Sequence, residues 1–159
     1  MAYLYEKENH QWVTWNGGSN VFYPFHEDAP GEILIIGIEC TFPLLKKTAI
    51  EIALLDTGAQ YSVVGRNRYA ALSQILPPTG EMVKMSTRRG LIKGTLERLE
   101  ISLVADLGES LNLETVFFLS DEWTGPTVLG FSTLSQMKMA LDPFYPNPAA
   151  EPGRFFFGQ

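Results

Sequence analysis

The chain has one cysteine, two histidines and no long apolar run. Cys40 alone closes no internal disulfide, and so few sulfur and imidazole groups leave no metal-ligand cluster to read. No segment approaches the ~20 consecutive apolar residues of a membrane span. Met1 to Trp15 lacks a basic segment followed by an apolar one, so no signal peptide is read there. Together these absences predict a cytoplasmic protein with no cofactor, no metal and no membrane partner. Positive charge is also scarce, with 12 Lys and Arg against 18 Asp and Glu and a net charge of −6. That balance argues against a nucleic-acid partner, because phosphate binding needs the opposite sign. The basic residues that do group, Arg66 with Arg68 and Arg88-Arg89 with Lys93, read as solvated faces.

What is present suits one globular domain: 159 residues, 45% hydrophobic and 19% charged. Residues 1–31 read as an aromatic, turn-rich extension, with Trp12, Trp15, Gly17-Gly18, Phe22, Tyr23 and Phe25 ahead of Ala29-Pro30-Gly31. Aromatics at that density predict that part of the extension packs on the domain. Residues 32–142 make the domain, and 143–159 a tail that alternates proline with aromatics and ends in Phe155-Phe156-Phe157.

Within the domain, Ile33–Cys40 is apolar on both faces, as a buried strand is. Ala49–Leu55 follows as a second strand, and Tyr61–Val64 as a short third. Arg66–Leu76 carries Tyr69, Leu72 and Leu76 at helical spacing and stops at Pro77-Pro78. Met82–Met85 and Leu91–Val104 read as strands flanking a hairpin tip at Ser86–Gly90. Leu113–Leu119 is a further strand. Val128-Leu129-Gly130 leads into a short helix over Ser132–Met139, with Leu134, Met137 and Leu141 as its apolar stripe and Ser132 as its N-cap. The sum is an all-β domain with one or two short helices.

Leu54-Leu55-Asp56-Thr57-Gly58-Ala59 is the stretch that carries chemistry, because it sets one carboxylate in a glycine turn directly after an apolar strand. Hydrolysing an amide needs an activated water and an acid for the leaving nitrogen. Two carboxylates close together supply both, since like charges at that range share one proton. Gly58 is expected to allow backbone dihedrals and a close approach that a side chain would block. Thr57 offers a hydroxyl that can lock the turn against a symmetric neighbour. The turn occurs once, so the second carboxylate is expected from another copy of the chain. Asp106, Asp121 and Asp142 lie outside any such turn and are not expected to pair with Asp56. His10 and His26 lack a Ser or Cys nucleophile context, and Cys40 reads as a buried strand residue.

Three segments in the expected order make the chain resemble the retropepsins, the single-domain aspartic proteases of retroviruses and their cellular relatives. Ala53–Ala59 matches the active-site motif. Lys84-Met85 with Gly90-Leu91-Ile92-Lys93 resembles the two arms of the flap hairpin. Thr127–Met137 is similar to the hydrophobic-hydrophobic-Gly and C-terminal helix signature. The resemblance implies a closed β-barrel-like fold and a homodimer with one active site on its two-fold axis. Asp56 of each chain would form the catalytic dyad, Thr57 would bond across the axis, and Gly58 would meet the substrate backbone. Ala59, Gln60, Thr87, Arg88, Arg89, Gly90, Leu91 and Val128 would line or close over an extended peptide substrate.

Two departures stand out. Many retroviral members carry an acidic residue after the Asp turn and a paired Arg after the later Gly; here the positions hold Gln60 and Phe131, so no buried charge is orphaned. The flap tip holds Arg88-Arg89 where viral enzymes are glycine-rich. Retroviral dimers interleave their chain ends, and Arg154–Phe157 is the candidate terminal strand. A non-proteolytic dimeric module that binds peptide or serves assembly is the rival reading, and a self-processing enzyme whose first 31 residues are cleaved or regulate dimerisation is a third.

Overall fold

Apolar residues on two faces of Ile33–Cys40 and alternation elsewhere lead to a molecule built mainly from β-strands, with two short helices among the described residues. The computed structural model describes residues 2–6, 11–15, 17–27, 33–45, 50–77, 80–142 and 153–159. His10, Ala29-Pro30-Gly31 and the prolines between 143 and 152 lie outside the described residues, as do the side chains of Trp12, Trp15, Phe25 and His26. In chain order the elements are β1 (Ala2–Glu6), β2 (Gln11–Trp15), β3 (Gly17–Val21), β4 (Tyr23–Glu27), β5 (Ile33–Thr41), β6 (Glu51–Leu55) and β7 (Ser62–Val63). Helix α1 (Arg66–Ile75) is followed by β8 (Glu81–Thr87), β9 (Gly90–Leu103), β10 (Leu107–Gly108), β11 (Leu111–Leu119) and β12 (Val128–Leu129). Helix α2 (Phe131–Leu134), β13 (Lys138–Asp142) and β14 (Arg154–Gly158) complete the chain.

Eight strands pair in the order β4-β5-β6-β12-β7-β11-β9-β8, and β5 also pairs with β9 through Cys40↔Leu103 and Thr41↔Ser102. The main core lies inside this arrangement. Ile38, Cys40, Phe42, Ala53, Leu99, Ile101, Leu103, Phe117 and Leu129 are buried there, and Phe42 meets Phe117 edge-on at 5.4 Å. Burial drives the Cys40 thiol's pKa upward, so the sulfur behaves as a small core hydrophobe. Helix α1 covers the core with Leu72, which is buried, and with Tyr69 and Leu76. It ends where expected, since Leu76 is extended (φ −76°, ψ 131°), the conformation Pro77 demands of its predecessor.

The predicted helix over Ser132–Met139 is shorter than its apolar spacing suggests. Only Phe131–Leu134 is helical, and Lys138–Asp142 is a strand paired with β14. Its N-cap is Gly130, without a side-chain cap, and the Ser132 hydroxyl donates to the Val116 carbonyl at 3.4 Å instead.

A second sheet runs β10-β3-β14-β13 and joins segments from both ends of the chain. Arg154–Gly158 is a strand, and it pairs on both sides within its own chain, with β13 and with β3. Phe155, Phe156 and Phe157 are buried. Arg154, also buried, donates from Nη1 to Ser19 Oγ at 3.0 Å and grips Asp106 with two hydrogen bonds at 2.5 and 3.1 Å. Asn20 of β3 donates to Glu39 Oε2 and to the Val104 carbonyl, both at 2.9 Å, and Tyr23 donates to Glu39 Oε1 at 2.8 Å.

Candidate active site

Strand β6 presents its last residues by simple alternation. Ala53 and Leu55 face the main core, whereas Leu54 faces a second apolar cluster. Asp56, two residues beyond Leu54, continues on that second face. Its backbone is fixed by β12: Val128↔Leu54 and Leu129↔Leu55 pair in parallel, and Asp56 N–H donates to the Leu129 carbonyl at 3.0 Å. The turn closes with Ala59 N–H donating to Asp56 O at 3.2 Å. Gly58 N–H donates to Asp56 Oδ1 at 2.9 Å, which orients the carboxylate.

The expectation that Gly58 needs special dihedrals is corrected here. Its φ is not among the positive values, which fall, among the described glycines, at Gly90, Gly108 and Gly153. A Cβ at Gly58 would lie 3.2 Å from Asp56 Oδ1, so glycine keeps the space beside the carboxylate open. Close by, glycine is required at Gly130, where a Cβ would meet the Tyr61 and Ala59 carbonyls.

A polar lattice beneath the turn holds it in place. Phe131 N–H donates to Ala59 O at 2.7 Å, and Ser132 N–H to Gln60 O at 2.9 Å. Gly130 N–H donates to Ser62 Oγ at 3.0 Å; Ser62 Oγ and Thr133 Oγ1 are 2.5 Å apart, and Thr133 Oγ1 donates to Thr115 Oγ1 at 3.2 Å. Ser62, Thr133 and Thr115 are all buried, so their hydroxyls satisfy one another in a place water does not reach. Sequence reading missed these three residues, which look like ordinary strand and helix positions. Thr127 was missed too. Its hydroxyl donates to Glu51 Oε1 at 2.9 Å and accepts from Gly65 N–H at 2.8 Å, while its carbonyl accepts from Leu54 N–H at 2.9 Å.

The second cluster forms an apolar floor on the Asp56 side. Val63, Phe118 and Val128 are its buried part. Leu54, Val83, Met85, Ile92, Leu96 and Trp123 pack against them and are only partly buried. Val83 and Met85 come from β8, and Ile92 and Leu96 from β9, so the two hairpin arms turn one face toward the floor. Trp123 is held by its Nε1–H donating to the Pro126 carbonyl at 2.9 Å, and its ring lies against Gly125.

The residues expected to act are distributed as follows. Asp56, Thr57, Gly58 and Gln60 are exposed, Ala59 is half-buried, and Val128 is buried in the floor. Thr87 and Gly90 pair at the hairpin end, where Thr87 Oγ1 donates to Gly90 O at 2.8 Å and accepts from Arg89 N–H at 3.2 Å. Gly90 takes a positive φ of 114°, which closes the two-residue turn of Arg88 and Arg89. Arg88, Arg89 and Leu91 are exposed, Leu91 at 69%. Phe131 is 58% exposed beside the Asp turn, a large apolar surface next to an exposed carboxylate.

A separate cleft of about 420 Å³ lies among Glu51, Gly65, Arg66, Pro126 and Thr127, and Asp56 is not part of its lining. Burial raises the Glu51 carboxyl above the ordinary range, against the lowering effects of the Thr127 hydrogen bond and of Arg68, 3.8 Å away. No group of three or more His, Cys, Asp or Glu among the described residues is arranged to hold a metal ion. No helix among them is long and apolar enough to cross a membrane.

No family model matches the chain, and neither does any curated protein. Among solved structures, the chain is similar to a retropepsin-like aspartic protease from Rickettsia conorii, with 16% identity, 91% of this chain and 95% of that chain covered, and a TM-score of 0.43.

Proposed function

We propose that this chain is an aspartic endopeptidase that works as a homodimer, with Asp56 of each copy forming one catalytic dyad. The observation that carries the reading is Asp56 itself: an exposed carboxylate in an Asp-Thr-Gly turn, oriented by Gly58 N–H, two residues beyond Leu54 of an apolar cluster to which both hairpin arms contribute. In the mechanism, one ionised Asp56 takes a proton from water as its oxygen attacks the scissile carbonyl carbon. Protonated Asp56 of the second copy donates to the carbonyl oxygen. The first carboxylate then passes its proton to the leaving nitrogen as the C–N bond breaks, and the second carboxylate takes a hydroxyl proton back as the gem-diol collapses to the carboxylic acid, which restores the dyad. The floor takes apolar substrate side chains, and the hairpin covers an extended peptide.

Asp56→Asn keeps size and hydrogen-bonding shape but cannot act as the base. Digestion of a peptide library should show cleavage by wild type and a loss of about a hundredfold or more in the variant, with its thermal transition retained. Equal cleavage by both proteins contradicts the assignment. Peptide binding without cleavage by wild type would favour the non-proteolytic module.

A further inference from the structure

The β8–β9 hairpin leaves the body at a place made by side chains. Strands β9 and β11 pair from Leu103↔Leu111 to Thr95↔Leu119, and in the same register Lys93 would next face Asp121. The main chain of β11 has already turned away at that point. The missing rung is supplied by the flanking side chains: Lys93 N–H donates to Glu122 Oε2 at 2.9 Å, and Ser120 Oγ donates to the Lys93 carbonyl. Glu122 N–H donates in turn to Ser120 Oγ at 3.1 Å, so the two residues brace each other. Gly94, between this rung and the last ordinary one, lies so close to Leu119 O and the Phe118 ring that a Cβ there would collide with both. Among the described residues, the arms beyond Lys93 pair only with each other, since β8 is an edge strand with β9 as its one neighbour.

We propose that Ser120 and Glu122 are positioning residues that fix the pivot of the β8–β9 hairpin at Lys93. With the clamp made, the free part of the hairpin is Met85–Ile92; without it, the body-attached ladder ends at Thr95 and the free part becomes Val83–Gly94. Each arm then gains two residues, roughly 7 Å of strand with no main-chain partner in the body. Val83, Met85 and Ile92 belong to the apolar floor, so the pivot also decides how firmly the hairpin holds that floor in register. The inference rests on the protease reading only in taking the hairpin as the cover over a bound peptide.

The test uses Glu122→Ala, Ser120→Ala and Glu122→Gln in the full chain, read by amide hydrogen exchange and by steady-state cleavage of a peptide drawn from the wild-type library digest. Glu122 is exposed, so its replacement leaves the core intact. The exchange of Lys93 and Ile92 amides should quicken about fivefold or more in each alanine variant, and KM should rise several-fold with kcat within about twofold. Glu122→Gln keeps an oxygen acceptor and should restore most of both. Unchanged exchange at Lys93 in both alanine variants overturns the pivot, and faster exchange with KM and kcat unaltered overturns its positioning role. The exchange readout needs no turnover. A wild type that cleaves nothing therefore defeats the protease reading, while the pivot is judged on exchange alone.

Discussion

The signal behind the role proposed for Asp56 is local: an apolar strand, a carboxylate and a glycine turn occupy six consecutive positions. What supports it is not local. Ser62, Thr115, Thr127 and Thr133 look unremarkable in the chain, and their value comes from meeting across distances of up to 76 residues. Glycine was misjudged for the same reason: the crowding at Gly130 comes from Tyr61 and Ala59, which no neighbour in sequence announces. Glu51 gives a residue-scale prediction. Its folded pKa is raised chiefly by burial, so the fold favours the protonated acid. The stability that this contributes is complete below the ordinary glutamate value near 4.5 and is lost as pH rises through the higher folded value. Glu51→Gln mimics the protonated acid and still accepts from Thr127. Its Tm advantage over wild type should therefore grow between pH 4.5 and neutrality, as followed by thermal denaturation; a constant offset contradicts the argument.

At the scale of elements, alternation and turn residues located most strands of the domain to within a few positions, because each pattern is set by the face it buries. The end of α2 was one exception, and the short β10 another. Leu134, Met137 and Leu141 fit a helical stripe, yet pairing of Lys138–Asp142 with β14 overrides that spacing. Strand β14 shows how strongly such pairing binds the chain ends. It is hydrogen-bonded on both sides within its own chain, so it offers no open edge to a partner for an interleaved sheet. Phe157, 1% exposed, sits in the core through this strand. Phe157→Ala should cost about 3–5 kcal/mol of unfolding free energy in a denaturant titration. A loss below about 1 kcal/mol would mean that the strand is dispensable.

For the whole molecule, the two extremities are parts of one sheet. Strand β3 lies between β10 and β14, with Ser19 and Asn20 buried and bonded to Arg154, Glu39 and Val104. Removal of the first 31 residues would strip β3 out of that sheet, whereas a cut ahead of Gly17 would spare it. The sequence points to packing of part of the first 31 residues and to a strand at Arg154–Phe157, but not to the pairing of the two ends in one sheet, because register between distant segments leaves no local signal. In the proposed dimer the second copy would meet the exposed Asp turn, where Thr57 and Gln60 are exposed and Phe131 is 58% exposed. The most direct test titrates the Asp56→Asn protein into a fixed amount of wild type and follows peptide cleavage. If one dyad needs Asp56 from each of two chains, mixed dimers are inactive, and the rate should fall about tenfold at a roughly ninefold excess of the variant. A cleavage rate that stays constant through the titration would contradict the shared site.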